Sequence, residues 1–405
     1  MNATTTNSAK STATADRYAK LLEEAASIRG VSLWLDAWRR LQRNRAALVS
    51  IVTLAVILVL AIFTPLLPLQ PPIYQRADAE HAFAPPSLKA TPLPFTSADL
   101  AAAEEKIQAT QQKLASAKSD ERAQLEKDLN LALRNHPILR EWNQPGPVTY
   151  WMIRTRLSLF GSWSVPSILG RDELGRDLLC RIFWGSRVSL MVGFVAAAVS
   201  LVIGVLYGAI SGFAGGIIDT IMMRIVDVLY SIPFIFVVIF AITILSEETL
   251  AAALESLGID QISVFYILIG AIYWLTMARV VRGQVLSLKN EQFIDAARVS
   301  GASSARIVIR HLVPNVLGIV IIYLTLTIPS VMLFEAFLSF LGLGVQAPDV
   351  SWGLLVFDGV KVITPLQKLW WLVVFPGLAL AITLFALNFL GDGLRDALDP
   401  RLKNR

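Results

Sequence analysis

A single cysteine, Cys180, stands in a chain of 405 residues, which excludes an internal disulfide. Its run Leu178-Leu179-Cys180-Arg181-Ile182 suits a small apolar filler. The three histidines, His81, His136 and His311, lie far apart, so no cluster with zinc spacing exists and no metal site is expected. No Gly-Lys dipeptide occurs, so the chain has no P-loop with which to cradle nucleotide phosphates. Neither H-E-x-x-H nor G-x-S-x-G is present, which removes a zinc or serine membrane protease. Charge is scarce as well. Charged residues make up 17% of the chain, against about 25% in a soluble domain. The net charge of +5 is small for this length, and no nucleic-acid partner is expected.

What is abundant is apolar: the hydrophobic fraction is 55% and the mean hydropathy +0.57. A bilayer core about 30 Å thick needs about 20 mostly apolar residues in a helix. Six segments meet that length, near Leu48–Leu67, Leu190–Phe213, Val226–Leu245, Val264–Val281, Val316–Leu338 and Leu369–Leu390. The expectation is therefore an all-α membrane protein with six transmembrane helices. The first segment is no cleavable signal, because a long polar stretch precedes it and no small-residue cleavage site follows it. Arg29, Arg39, Arg40, Arg43 and Arg45 precede the first segment. Arg282, Lys289, Arg298, Arg306 and Arg310 follow the fourth, and Arg395, Arg401, Lys403 and Arg405 end the chain. Ser246–Ile262 instead holds Glu247, Glu248, Glu255 and Asp260 and no base. Both termini are thus expected in the cytoplasm.

These features divide the chain into an N-terminal segment 1–46, a first span 47–69, an external segment 70–188, a five-helix membrane domain 189–392 and a tail 393–405. Residues 1–20, rich in Ser, Thr and Ala, read as disordered. Trp34, Trp38 and Leu41 share a helical face apart from Arg39, Arg40 and Arg43, a pattern suited to an interfacial helix on anionic membrane lipid. Within the external segment, 97–135 has no Gly or Pro. Leu100, Ile107 and Leu114 form one stripe there, and Leu125, Leu129 and Leu133 a second. That predicts a helix or helical hairpin breaking near Ser116–Asp120, either a solvated appendage or a docking surface. Pro71-Pro72, Pro85-Pro86 and Pro92–Pro94 before it read as an extended linker.

The connection after the fourth span, 282–315, holds the most informative residues. Glu291 to Gly301 reads EQFIDAARVSG and the run ends in His311-Leu312-Val313-Pro314. Two short helices are expected, joined at Gly301, which tolerates positive φ, with Pro314 ending the second. Ala296 and Ala297 leave a small-residue face for another protein. In the second span Ala196, Ser200, Gly204, Gly208 and Gly212 form a stripe that allows close helix packing. That packing is either within the chain or against a partner. Asp227 and Glu335 are the ionisable groups near membrane depth, expected to face the interior. Glu335 either helps line a pathway or makes an internal hydrogen bond. Pro233, Pro329 and Pro376 fall within spans as tolerated kinks.

Asp295-Ala296-Ala297, three residues, Gly301, then Arg310-His311-Leu312-Val313-Pro314 resembles the EAA motif of ABC importer permeases. Asp295 stands for its Glu, His311 for its Ile and Val313 for its Leu. Gly170–Asp177 with Gly185–Leu190, Ser339–Gly344 through Gly353, and Gly391–Pro400 resemble the peptide and nickel permeases of that group. Arg279–Ser287 and Phe334–Gly353 are similar to the C-type subunit of its oligopeptide branch. The resemblance spans about 31–80 and 165–402 and leaves out 97–135. From the residues themselves, Leu174, Leu178, Ile182 and Phe183 form one apolar face expected to lie at the outer membrane surface, and Asp392 caps a short helix that Pro400 ends. The resemblance implies a type I ABC importer permease fold, with 282–315 as the coupling loop to an ATPase. It implies one half of an oligopeptide pathway, or one for dipeptides, glutathione or nickel. It further implies a second permease subunit, two cytoplasmic ATPase subunits that bind ATP and Mg, an external peptide-binding protein and residence in the cell inner membrane. This chain is then a transport subunit and not an enzyme. A proton-coupled symporter is disfavoured, because it would want more spans and a buried carboxylate relay.

Overall fold

The computed structural model describes residues 33–398, except 77, 79, 118, 246, 248, 249, 251, 252, 255, 257–260 and 365–367. The expectations for residues 1–20, Arg29, Pro400, Arg401, Lys403, Arg405, Glu248, Glu255 and Asp260, and for the side chain of Trp34, lie outside the described residues. Among the described residues the architecture is helical, with one isolated bridge between Arg171 and Asp177.

Helix α1 (Leu33–Arg43) leads through Asn44 into α2 (Arg45–Phe63), and Asn44 caps α2 by accepting from the Ala47 amide at 3.2 Å. The insertion is a hairpin of α3 (Ser97–Ser116) and α4 (Ser119–Arg134), breaking where the stripe changes phase. Short α5 (Pro137–Glu141) and α6 (Pro147–Phe160) follow. Then come α7 (Leu178–Ala214), α8 (Gly216–Ser231), α9 (Phe234–Leu245), α10 (Gln261–Leu288) and α11 (Gln292–Val299). The last are α12 (Ser304–Phe340), α13 (Trp352–Val362) and α14 (Trp371–Leu398). Among the described residues five helices are long and apolar enough to cross a membrane, six if α8 and α9 form one broken span.

The third expected span is that broken pair. Pro233 does more than kink it: the helix axes diverge by 79°. The residue before a proline is pushed out of helical geometry, and Ile232 is indeed extended at φ −80°, ψ 122°. Two other expectations fail in the opposite sense. Pro314 does not end a helix. The chain runs through it as α12 because Val308–Leu312 widen into a π turn, in which the Val313 amide donates to the Val308 carbonyl. Asp392 caps nothing, since it lies inside α14. The glycines beside it serve contact instead. A Cβ on Gly391 would stand 2.9 Å from Thr325 Oγ1, and one on Gly393 2.6 Å from Ala47 Cβ.

Two faces result. The terminal side gathers α1, the C-terminal end of α14, the ends of α7 and α10, and α11; there Ala37 and Leu41 pack with Ala47 and Ala397. The insertion side holds residues 64–177 and α13. At 1.5 Å per residue, the 37 residues of α7 span roughly 55 Å, well beyond a bilayer core of about 30 Å. Its first turns therefore stand in the insertion-side structure, with Leu178 and Ile182 packed against Trp352. The face expected to lie flat on the membrane surface is turned inward, because the same helix continues into the span. Cys180 is buried beside Trp142 and Ile153, a packing role as expected.

Candidate functional site

The terminal side presents α11. Of its side chains only Ile294 is fully buried, set among Val281, Val285, Ile307, Leu312 and Val316. Burying one such side chain contributes roughly 1.5–3 kcal/mol, enough to hold a short helix in place. Phe293, Ala296 and Val299 share the opposite face, and Val299 is 90% exposed. Asp295 and Arg298 pair at 3.2 Å in the open, and the Arg298 guanidinium lies 5.8 Å over Phe213 at the end of α7.

The turn that follows explains its glycine. The Ala302 amide donates to Ala297 (3.0 Å) and the Gly301 amide to Arg298 (2.9 Å), the paired bonds of a Schellman ending. That ending needs a left-handed residue, and Gly301 sits at φ +79°. Nothing lies within 4 Å of its missing Cβ, so conformation and not space requires glycine. Ser303 then caps α12 by accepting from Arg306. Arg310 is exposed and His311 half-buried on the π turn, and Pro314 is exposed just beyond it. Asn315 Nδ2 donates to the His311 carbonyl at 2.6 Å, one turn back on the same helix. Asp295, Ala296, Ala297 and Gly301 thus form one surface feature, and Arg310, His311 and Pro314 lie on the adjoining turn.

The small-residue stripe lies elsewhere and faces inward. Cβ atoms on Gly204 and Gly212 would approach Met277 Cβ and the Arg282 carbonyl at 2.6 and 2.9 Å, and one on Gly208 would collide with the Ala278 carbonyl. These contacts, with fully buried Ser200 nearby, make α7 and α10 a tight pair within the chain. Of the two readings for the stripe, the structure adopts the internal one.

Asp227 is not turned to the interior. It is half exposed and paired to Arg279 at 2.9 Å. Glu335 is fully buried and accepts from Ser339 Oγ at 2.7 Å. Here too the internal alternative is the observed one. Sequence reasoning missed Asp219, which accepts from Arg282 Nε (2.5 Å), Arg282 Nη2 (2.6 Å) and Ser211 Oγ (2.5 Å). A hint was available: Asp219, Arg224 and Asp227 interrupt a mostly apolar stretch, where a charged group calls for a partner.

On the insertion side a cavity of about 560 Å³ opens between the 172–181 segment and α13, with Arg176, Arg181, Asp358 and Lys361 in its walls. Asp172 is the organising group. It accepts from the Leu174 and Arg176 amides (3.0 and 2.9 Å), from Arg176 Nε (2.7 Å) and from Arg181.

Residues 204–404 match the family model "Binding-protein-dependent transport system inner membrane component". Residues 32–86 match "N-terminal TM domain of oligopeptide transport permease C". The oligopeptide transport system permease protein OppC of Haemophilus influenzae is 48% identical over 57% of this chain and 70% of its own length. The dipeptide transport system permease protein DppC of Bacillus subtilis is 45% identical over 58% and 68%. The DppC of Lactococcus lactis is 32% identical over 92% of this chain and 91% of its own.

Proposed function

Since the chain belongs to the family of binding-protein-dependent transport permeases, in its oligopeptide permease C branch, we propose that it forms half of a membrane pathway for oligopeptides. A second permease subunit supplies the other half. ATP is bound and hydrolysed on two separate ATPase subunits, and an external binding protein delivers the peptide. The terminal side faces the cytoplasm and the insertion side faces out, in the cell inner membrane. The ATPase meets Phe293, Ala296 and Val299, flanked by Asp295, Arg298 and Arg310. Loaded binding protein approaches the cavity walled by α13.

The observation that carries this reading is α11 itself: a short helix anchored by Ile294, capped through Gly301, with an uncovered apolar face. Exposed apolar groups rimmed by charge are a usual mark of a protein contact. The test is reconstitution of the four-subunit complex with binding protein in proteoliposomes. ATP-dependent uptake is expected, stronger for longer peptides than for dipeptides. Cysteines placed one at a time at Ser116 and Ser303 check the orientation, and buried Cys180 gives little background. An impermeant reagent applied from outside should reach the first only. Dipeptide permeases among the relatives make the second reading, a dipeptide pathway, the outcome if short substrates are taken up faster.

A further inference from the structure

Helix α8 is attached to the chain mainly by polar contacts. Ile217, Ile218, Ile221 and Val228 are exposed, Ile217 by 78%, and only Asp219 and Val226 are buried. Both its ends are built to bend. Gly215 and Gly216 stand at φ +64° and +56°, and nothing surrounds the missing Cβ of Gly216. At the other end Pro233 turns the chain by 79° into α9. A helix with two hinges and little packing has no fixed orientation unless something else supplies it.

That something is a row of groups on α10 and α7. Arg282 forks onto both carboxylate oxygens of Asp219, and Ser211 Oγ donates to the same carboxylate. Arg279 pairs with Asp227 and lies 4.4 Å over the Tyr230 ring. Tyr207 Oη donates to the Met222 carbonyl at 2.9 Å. A two-point guanidinium–carboxylate contact fixes rotation as well as distance, which one apolar contact does not. Asp219 is 12% exposed and Arg282 a third exposed, so the pair is partly shielded from water. Beyond Arg282, α10 continues to Leu288 and, by way of Lys289, into α11.

We propose that the Asp219–Arg282 fork is a positioning clasp that makes α8 move as one body with α10 and α11. A displacement of α11 is then delivered to the broken span and not lost at the glycine and proline hinges. This rests on the transport reading above. The clasp touches no substrate; its role is to couple.

The test uses the complete complex in proteoliposomes and reads peptide uptake and ATP hydrolysis together. Asp219→Asn should assemble and hydrolyse ATP within about twofold of the parent, while peptides carried per ATP fall at least about tenfold. Arg282→Lys, which keeps the charge and loses the fork, should fall between. The exchange Asp219→Arg with Arg282→Asp should recover part of the ratio. Spin labels at Ile225 on α8 and Ile267 on α10 should give a narrow distance distribution in the parent and a broad one in Asp219→Asn. An unchanged uptake-to-hydrolysis ratio in Asp219→Asn would overturn the proposal. So would a proportional loss of both activities, or assembly failure that the exchange does not relieve. If the parent complex transports no peptide, the transport reading fails instead. The label distances then decide the clasp alone, and a narrow distribution in both proteins refutes it.

Discussion

The two sides of this molecule solve opposite problems. The insertion side is knit by buried charge: Arg156, Arg171, Asp172, Asp177 and Arg181 are each at most 5% exposed. Arg156 gives its guanidinium to the Gly161 and Trp163 carbonyls, and Arg171 to the Gly175 carbonyl and Thr91 Oγ1. Burial lowers the Arg156 pKa to about 10, yet the group stays charged at neutral pH. Among the described residues the terminal side buries one carboxylate, Asp219, and leaves Asp295, Arg298 and Arg310 in the open. Buried, hydrogen-bonded charges narrow the geometry, although Arg156 Nε, Asp177 Oδ2 and Arg181 Nε have no partner of their own. Sparse packing, positive-φ glycines and exposed pairs are instead the marks of regions that open locally. The difference teaches that the insertion side is a fixed frame and the terminal side the part suited to motion.

The largest expected effect breaks the frame. Asp172→Ala leaves Arg176 without its carboxylate and buried Arg181 with only Asp358, at 3.9 Å, and uncompensated buried charge costs about 3–5 kcal/mol. Loss of folded protein in detergent, read as a Tm drop or absence of a monodisperse peak, is the expected outcome. Full stability would mean that the frame does not depend on charge. Next, Ile294→Ala removes the one anchor of α11 and should cost about 2–4 kcal/mol locally. The global Tm should hardly move, while amide exchange across 292–302 rises sharply. A large Tm shift there would erase the contrast between the two sides.

Gly301→Val comes third. It places a branched residue at φ +79° in open space, at a cost of about 1–2 kcal/mol. Membrane insertion and the Tm should survive, with ATPase docking reduced; unimpaired transport at normal expression would show that the turn is dispensable. The smallest effect is one of pH. Burial lowers the His136 pKa from 6.5, with Glu104 opposing more weakly. The unfolded chain thus takes up the proton first. The stability of the insertion base is full above about pH 6.5 and declines as pH falls from there towards the folded value. Neutral Nδ1 also accepts from the Leu139 amide, a bond that protonation removes. Proteolysis of the hairpin should quicken between pH 7.5 and 5.5, and His136→Gln should flatten that dependence.

Much of the terminal side was legible because its determinants are local. Ala296-Ala297 and Gly301 lie within one helix and its turn, and a Schellman ending needs its glycine whatever packs nearby. The hairpin was legible for the same reason, since the stripe of Leu100, Ile107 and Leu114 changes phase where the helix breaks. Pro314 misled because a proline ends a helix only if the preceding turn cannot widen, and here it does. Asp392 misled because a cap residue inside a long apolar run is overruled by packing at Gly391 and Gly393.

By itself the sequence determined the membrane class, the helical composition, the α11 turn and the family. Each rests on hydropathy, periodicity or spacing within a few turns of chain. Only the tertiary structure decided where the glycine stripe faces, that Glu335 is sealed within the chain, and that Asp219 belongs to Arg282. The physical reason is that close approach, burial and ion pairing depend on both partners. Asp219 and Arg282 are 63 positions apart, a distance over which one chain read in order carries no signal of contact.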